Sequence, residues 1–261
     1  MRALASGATM RIIIAVAACL LAADVANAAE IKAMISTAMK APFEEIAAQF
    51  EKATGHKVSA TYGPTGGLAK RIAEGEAADM VVLGGSQTPE LMKQDKLAAG
   101  SNTDIARGMI GVGVVKGAPK PDISSEAAFK AALLSAKSIA VTDPASGGGS
   151  GVYFGKLFEQ MGLTQSLKPK LKLAAGGPNG YAATFVANGE AEFALQPIPE
   201  LMAVPGIEVV GPLPGAFQNV TIYTASIPVS AKEADAAKAL IKALAAPSSA
   251  AIYRARGLEP G

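Results

Sequence analysis

Residues 63–77, GPTGGLAKRIAEGEA, align without gaps on residues 177–191, GPNGYAATFVANGEA, and the two stretches are identical at eight of fifteen positions. Each reads as a loop of small residues that enters a helix and leaves through Gly-Glu-Ala into an apolar strand. A chain that runs strand, loop, helix, strand at two separate places is expected to fold as two α/β lobes with largely parallel strands.

The same plan recurs outward from the repeat. EIKAMIS (30–36) is strand-like and STAMKAP (36–42) is a loop, while FEEIAAQFEKATG (43–55) sets Phe43, Ile46, Ala47 and Phe50 at helical spacing before a Gly55 stop. HKVSATY (56–62) predicts a strand, GPTGG a loop, LAKRIAEG (68–75) a helix and ADMVVLGG (78–85) a buried strand. KSIAVTDP (137–144), ASGGGSG (145–151) and VYFGKLFEQMGL (152–163) repeat that order. Long strand-like stretches at 108–117 and 219–231 flank the second repeat, and residues 233–247 form an amphipathic helix with no partner in that lobe. Both long strands are therefore expected to cross between lobes, with the last helix returning to the first. The expected division is 29–107 with 230–261 for lobe 1, and 108–229, crossing strands included, for lobe 2. A ligand is expected in the cleft between them.

Residues 1–28 are read as a signal peptide. Arg2 and Arg11 give a basic start, Ile12 to Ala23 is apolar and small, and Ala26-Asn27-Ala28 is an A-x-A cleavage site. Export to the periplasm follows. The alternative is a lipoprotein box at Val16 to Cys19, with a lipid on Cys19, but the apolar run before that cysteine is shorter than the usual ~7–15 residues.

Composition narrows the chemistry. Removing residues 1–28 takes away Arg2, Arg11 and Asp24, which leaves 22 basic against 21 acidic side chains and no cysteine. A net charge near +1 argues against a nucleic-acid partner. With His56 the only histidine, and placed in a Gly-His-Lys turn, zinc sites and serine or cysteine triads are not expected. GGGSG lacks the Lys-Ser/Thr of a P-loop and no G-x-G-x-x-G follows a first strand, so neither metal nor cofactor is expected.

The small-residue loops carry the functional expectation. The first N–H groups of a helix have no intrahelical partner and carry the positive end of its dipole, so a loop without bulky side chains lets an anion reach them. Ser36, Thr37 and Ala38, Thr65 and Gly66, Ser146 and Ser150, and Asn179 all stand at such starts, and Ser86 follows the strand ADMVVLGG. Lys40 lies within the first loop, Arg71 is one of two consecutive cations on the second helix, Tyr153 and Tyr181 lie just past loops, and Gln196 ends an apolar strand. The alternative for the Ser, Thr and Asn residues is simple helix capping; for the cations it is a solvated surface, and for Gln196 a satisfied buried amide.

At this point PFEEIAAQFEKATGHKVSATYGPTGGLAKRIAEGEAADMVVLGG resembles the periplasmic molybdate-binding proteins of ABC importers. The likeness continues through GVGVVKGAPKPDI, KSIAVTDPASGGGSGVYFGKLFEQMGL and VANGEAEFALQPIPEL. The resemblance implies the two-lobed type II periplasmic binding-protein fold, a monomer that closes on a small anionic ligand by hinge motion, and an ABC permease as partner. Several positions depart from that family's pattern. Ala38 stands where its first loop has serine, Pro64-Thr65-Gly66-Gly67 replaces a run of serines, and Gln196 or Pro197 falls near its binding tyrosine. Fewer hydroxyls over retained backbone N–H groups point from a tetrahedral oxyanion toward an organic carboxylate. Aconitate isomerase also looks like this family, which implies an alternative: a periplasmic tricarboxylate isomerase in which Lys40 or Tyr181 serves as the base for an allylic proton shift.

Overall fold

The computed structural model describes residues 28–178 and 180–261. The stretch expected to be a signal peptide, residues 1–28, lies outside the described residues except for Ala28, and so do Cys19 within it and Asn179. No described helix is long and apolar enough to cross a membrane.

Two sheets share one strand. In the first, β1 (Glu30–Ser36) pairs in parallel with β2 (Lys57–Gly63) on one side and β3 (Met80–Gly84) on the other. In the second, β5 (Ile139–Thr142) pairs in parallel with β6 (Leu171–Ala174) and β7 (Phe193–Pro197). The repeated stretches occupy equivalent places: α2 (Thr65–Ala73) joins β2 to β3, and α7 (Ala182–Ala187) joins β6 to β7.

The shared strand is β4 (Thr103–Val115). Its first half pairs antiparallel with β9 (Val220–Ser226) and β10 (Leu258–Pro260), and its second half with β7 and β8 (Ile207–Pro212). Gln218 marks the change of partners: its Oε1 accepts the Ile110 N–H at 2.9 Å while its Nε2 donates to the Ile110 carbonyl at 3.0 Å. β9 returns the chain to the first sheet, between β3 and β4.

Helical spacing sets the cores. α1 (Lys40–Thr54) turns Phe43, Ile46 and Phe50 onto Ile31 and Ile35 of β1, and α9 (Ala234–Leu244) adds Leu240 and Leu244 to the same cluster. The opposite face of the sheet packs Met34, Val81 and Leu83 against Leu68 and Ile72 of α2 and Leu91 of α3 (Gln87–Lys93). Strand residues alternate between these layers, as a period of two requires. Each such side chain contributes roughly 1.5–3 kcal/mol on burial. In the second lobe, α4 (Glu126–Ser135), α5 (Gly149–Gln160) and α6 (Thr164–Leu167) bring Phe129, Phe154 and Leu167 together. Beneath α7 the core is made of Ala140, Ala174, Ala182, Ala183 and Ala194, so helix and sheet approach closely. The remaining helices are α8 (Ile198–Met202) and α10 (Ala250–Ala255).

The helices start earlier than the expected boundaries. α1 opens at Lys40 after a 3-10 turn at Thr37–Met39, α2 opens at Thr65 and α5 at Gly149, all inside stretches read as loops. Glycine is unfavourable in the middle of a helix but tolerable in its first turn, where no N–H is yet paired within the helix. The bare backbone is thus part of the helices and sits at their open ends.

Candidate functional site

Those open ends meet in one cleft between the lobes. Its walls include Ser36, Thr37 and Ala38, Thr65 and Gly66, Ser86 and Gln87, Gly147 to Ser150, Gly176 and Gly177, and its floor includes Ile110, Glu200, Asn219, Thr221 and Tyr223. The volume is about 260 Å³.

Capping does not account for the polar residues here. The residues preceding the first 3-10 turn, α2, α3 and α5 (Ser36, Pro64, Ser86 and Gly148) make no side-chain cap, whereas Ser125 caps α4 by accepting from the Ala128 N–H. Ser36 Oγ and Thr65 Oγ1 instead lie 2.8 Å apart and share a hydrogen bond. Thr37 Oγ1 is closed off from solvent with no partner among the described residues. An unmade hydrogen bond of this kind costs about 1–3 kcal/mol, and Thr37 is on the cleft wall.

Other residues singled out in the sequence are committed elsewhere. Gly66 lines the cleft, but its N–H donates across it to the Gly147 carbonyl at 3.1 Å, so it links the two facing loops. Ser146 Oγ donates to the Asp143 carbonyl at 2.7 Å. Ser150 stays on the cleft wall, with its Oγ 3.4 Å from Oγ1 of Thr142, another lining residue. Tyr153 donates to the Phe217 carbonyl at 2.9 Å. Arg71 pairs with Glu76, and Lys40 Nζ stands 5.6 Å from the centre of the Tyr62 ring. None of Lys40, Arg71, Tyr153 and Tyr181 is among the residues lining the cleft. Burial, then the charges of Glu200 and Glu44, push the Tyr181 phenol up, which makes it a poor proton donor to solvent.

Glu200 is the group the sequence reading passed over. It sits one turn beyond Gln196, in the apolar run Ile198-Pro199-Glu200-Leu201, and that setting was its only signal. Gln196 is fully buried, and its Oε1 accepts the Ala183 N–H at 3.1 Å. The amide nitrogen therefore points to Glu200 Oε2, 2.6 Å away. Glu200 is partly exposed, through the cleft, but otherwise enclosed by protein. That enclosure pushes its carboxyl up to about 7, against the smaller opposing effect of the Gln196 hydrogen bond.

A carboxyl raised in the folded state holds its proton where the unfolded chain has lost it, so stability falls as pH rises from the ordinary glutamate range to about 7. Glu200→Gln is expected to stabilise the ligand-free protein by about 1–2 kcal/mol at pH 8 and by little at pH 4, measured by urea denaturation. An equal effect at both values would mean that the carboxyl is not perturbed.

With the geometry in place, the relatives become informative. A curated aconitate isomerase from a Pseudomonas species is 37% identical over 222 residues, covering 83% of this chain and 82% of that protein. The molybdate-binding protein ModA of Azotobacter vinelandii is 32% identical over 256 residues, covering 95% of this chain and 96% of that one. A solved structure of the Azotobacter vinelandii periplasmic molybdate-binding protein superposes with a TM-score of 0.69 at 22% identity, over 87% of this chain and 98% of that chain. Its two-lobed periplasmic binding-protein fold is the fold described above. Residues 31–259 match the family described as bacterial extracellular solute-binding protein, and it is to that family that this chain belongs.

Proposed function

We propose that the protein captures a small organic carboxylate in the interlobe cleft and delivers it, in the periplasm and as a monomer, to an ABC permease. The observation that carries this reading is the make-up of the cleft. Uncapped helix starts and hydroxyls supply hydrogen-bond donors for an anion, and among the described lining residues there is no Lys, Arg or His. One feature favours a carboxylate over a tetrahedral oxyanion: the space exceeds what one central atom and four oxygens fill.

A ligand that binds only the folded state raises its melting temperature. The test is a thermal-shift series with molybdate, tungstate, sulfate, phosphate, citrate and cis- and trans-aconitate. Stabilisation by the carboxylates is expected; stabilisation by molybdate alone would overturn the carboxylate reading. Thr65→Ala removes one hydroxyl and frees Ser36, and is expected to weaken carboxylate binding about fivefold, or about 1 kcal/mol, by calorimetry. Unchanged affinity would remove the Ser36–Thr65 pair from the site.

Glu200 also favours a second reading. A carboxyl that titrates near neutrality beside a bound anion is suited to accept and return a proton, and the relative with 37% identity is named for aconitate isomerisation. In this reading Glu200 meets the ligand ionised, not protonated: it takes a proton from the methylene carbon while the double bond migrates, then returns one to the former vinyl carbon. Proton NMR of cis-aconitate in D₂O with the protein separates the two readings. Growth of the trans isomer with deuterium at carbon supports the enzyme, and unchanged cis-aconitate supports the binder.

A further inference from the structure

We infer that the cleft takes up its anionic ligand together with one proton, and that Glu200 holds it, so that a neutral carboxyl rather than a cation faces the ligand at this point. The inference rests on the carboxylate reading of the cleft and concerns how that site tolerates a second negative group. Two negative charges in an enclosed space need a cation or a proton between them. The described lining residues offer Glu200 and no cationic side chain.

The hydrogen-bond geometry fixes which group yields. Gln196 cannot rotate its amide to relieve the carboxylate, because its oxygen is held by the Ala183 N–H and its nitrogen already donates to Glu200 Oε2. Gln196 engages Oε2 alone, which leaves Glu200 Oε1 to carry a proton and donate it to the ligand. The titratable neighbours do not supply a charge of the needed sign. Tyr181 and Tyr223 both feel the Glu200 charge and are both pushed up by burial, and Glu44, whose charge acts on Tyr181, is itself an acid. Burial has already moved Glu200 toward protonation before any ligand arrives. An arriving anion moves it further in the same direction.

Proton linkage then makes binding weaken as pH rises, by up to about tenfold per pH unit once the free carboxyl is ionised. The test is calorimetry with trans-aconitate and citrate at pH 8, in HEPES and in Tris, whose heats of ionisation differ. The wild-type protein is expected to take up close to one proton per ligand and to lose affinity from pH 7.5 to 8.5. Glu200→Gln, which keeps an acceptor for Gln196, is expected to bind with no proton uptake and a flat pH profile. Binding without proton uptake by the wild-type protein overturns the inference and leaves the carboxylate reading standing. Uptake that persists in Glu200→Gln places the proton elsewhere and also overturns it. Absence of binding by every carboxylate overturns both together.

Discussion

Gly66→Ala is expected to lose at least a hundredfold in ligand affinity while leaving the ligand-free protein as stable as before or slightly more so. A Cβ on Gly66 would come within 2.7 Å of the Gly147 carbonyl oxygen, which belongs to the facing lobe. That is well inside the ~3.3–3.6 Å at which carbon and carbonyl oxygen ordinarily meet, and the neighbour is backbone that cannot swing aside. Gly147 is held in the left-handed region at φ +74°, which further limits its adjustment. Gly66 is the second residue of its helix, a first-turn position where the exchange of glycine for alanine changes helix stability little. On the proposed hinge closure around the ligand, the clash arises only when the two loops meet as they do here. A hundredfold loss corresponds to about 2.8 kcal/mol, the scale of losing one lobe's contacts to the ligand. Small-angle scattering with and without saturating carboxylate should differ for the wild-type protein and coincide for the variant. Wild-type affinity in Gly66→Ala would mean that contact between the loops is not part of ligand capture.

Asp79→Ala is expected to destabilise the protein by about 3 kcal/mol at pH 7. Asp79 stands just before β3, and its carboxylate accepts from the Lys32 N–H at 2.8 Å, the Lys232 N–H at 2.8 Å and the Glu233 N–H at 3.0 Å. One side chain thereby ties β1 to the start of α9, reaching from Asp79 47 residues back to Lys32 and 153 to 154 residues on to Lys232 and Glu233. Burial opposes its ionisation, but the three backbone donors, with a smaller contribution from the Lys32 charge, hold it below the usual carboxylate range. A carboxyl lowered in the folded state adds stability that is fully present above its unfolded value, near 4, and is lost as pH falls through the folded one. The difference between wild type and Asp79→Ala in urea denaturation should therefore be large at pH 7 and shrink toward pH 3. A difference that persists unchanged in acid would assign it to packing alone.

Local pattern carried the architecture. The spacing of Phe43, Ile46 and Phe50 marked the buried face of α1, and the glycine-bounded repeat lies in matching places in the two sheets. The helix at 234–244, with its amphipathic face, packs Leu240 and Leu244 on the cluster that contains Ile31 and Ile35 of β1. What escaped the sequence depends on distance along the chain. Nothing near Thr65 says that its hydroxyl meets Ser36, 29 residues earlier, and nothing near Gly66 says that it touches Gly147. Hydroxyls at helix starts read equally well as caps, and only their actual partners separate the two roles. Glu200 was hidden for a different reason: an acid in a short helix reads as surface, and its meaning comes from the walls that Tyr223, Gln196 and the helix starts build around it.

The strand common to both sheets bears on how the molecule comes apart. β4 completes the first sheet with one half of its length and the second with the other, so neither lobe owns a finished edge. The resemblance between the two repeats therefore does not make them separable modules. Loss of β4 from one sheet exposes the other, which couples the melting of both lobes into one cooperative event. A protease that cuts near Ile110 would leave two incomplete sheets and no autonomous half.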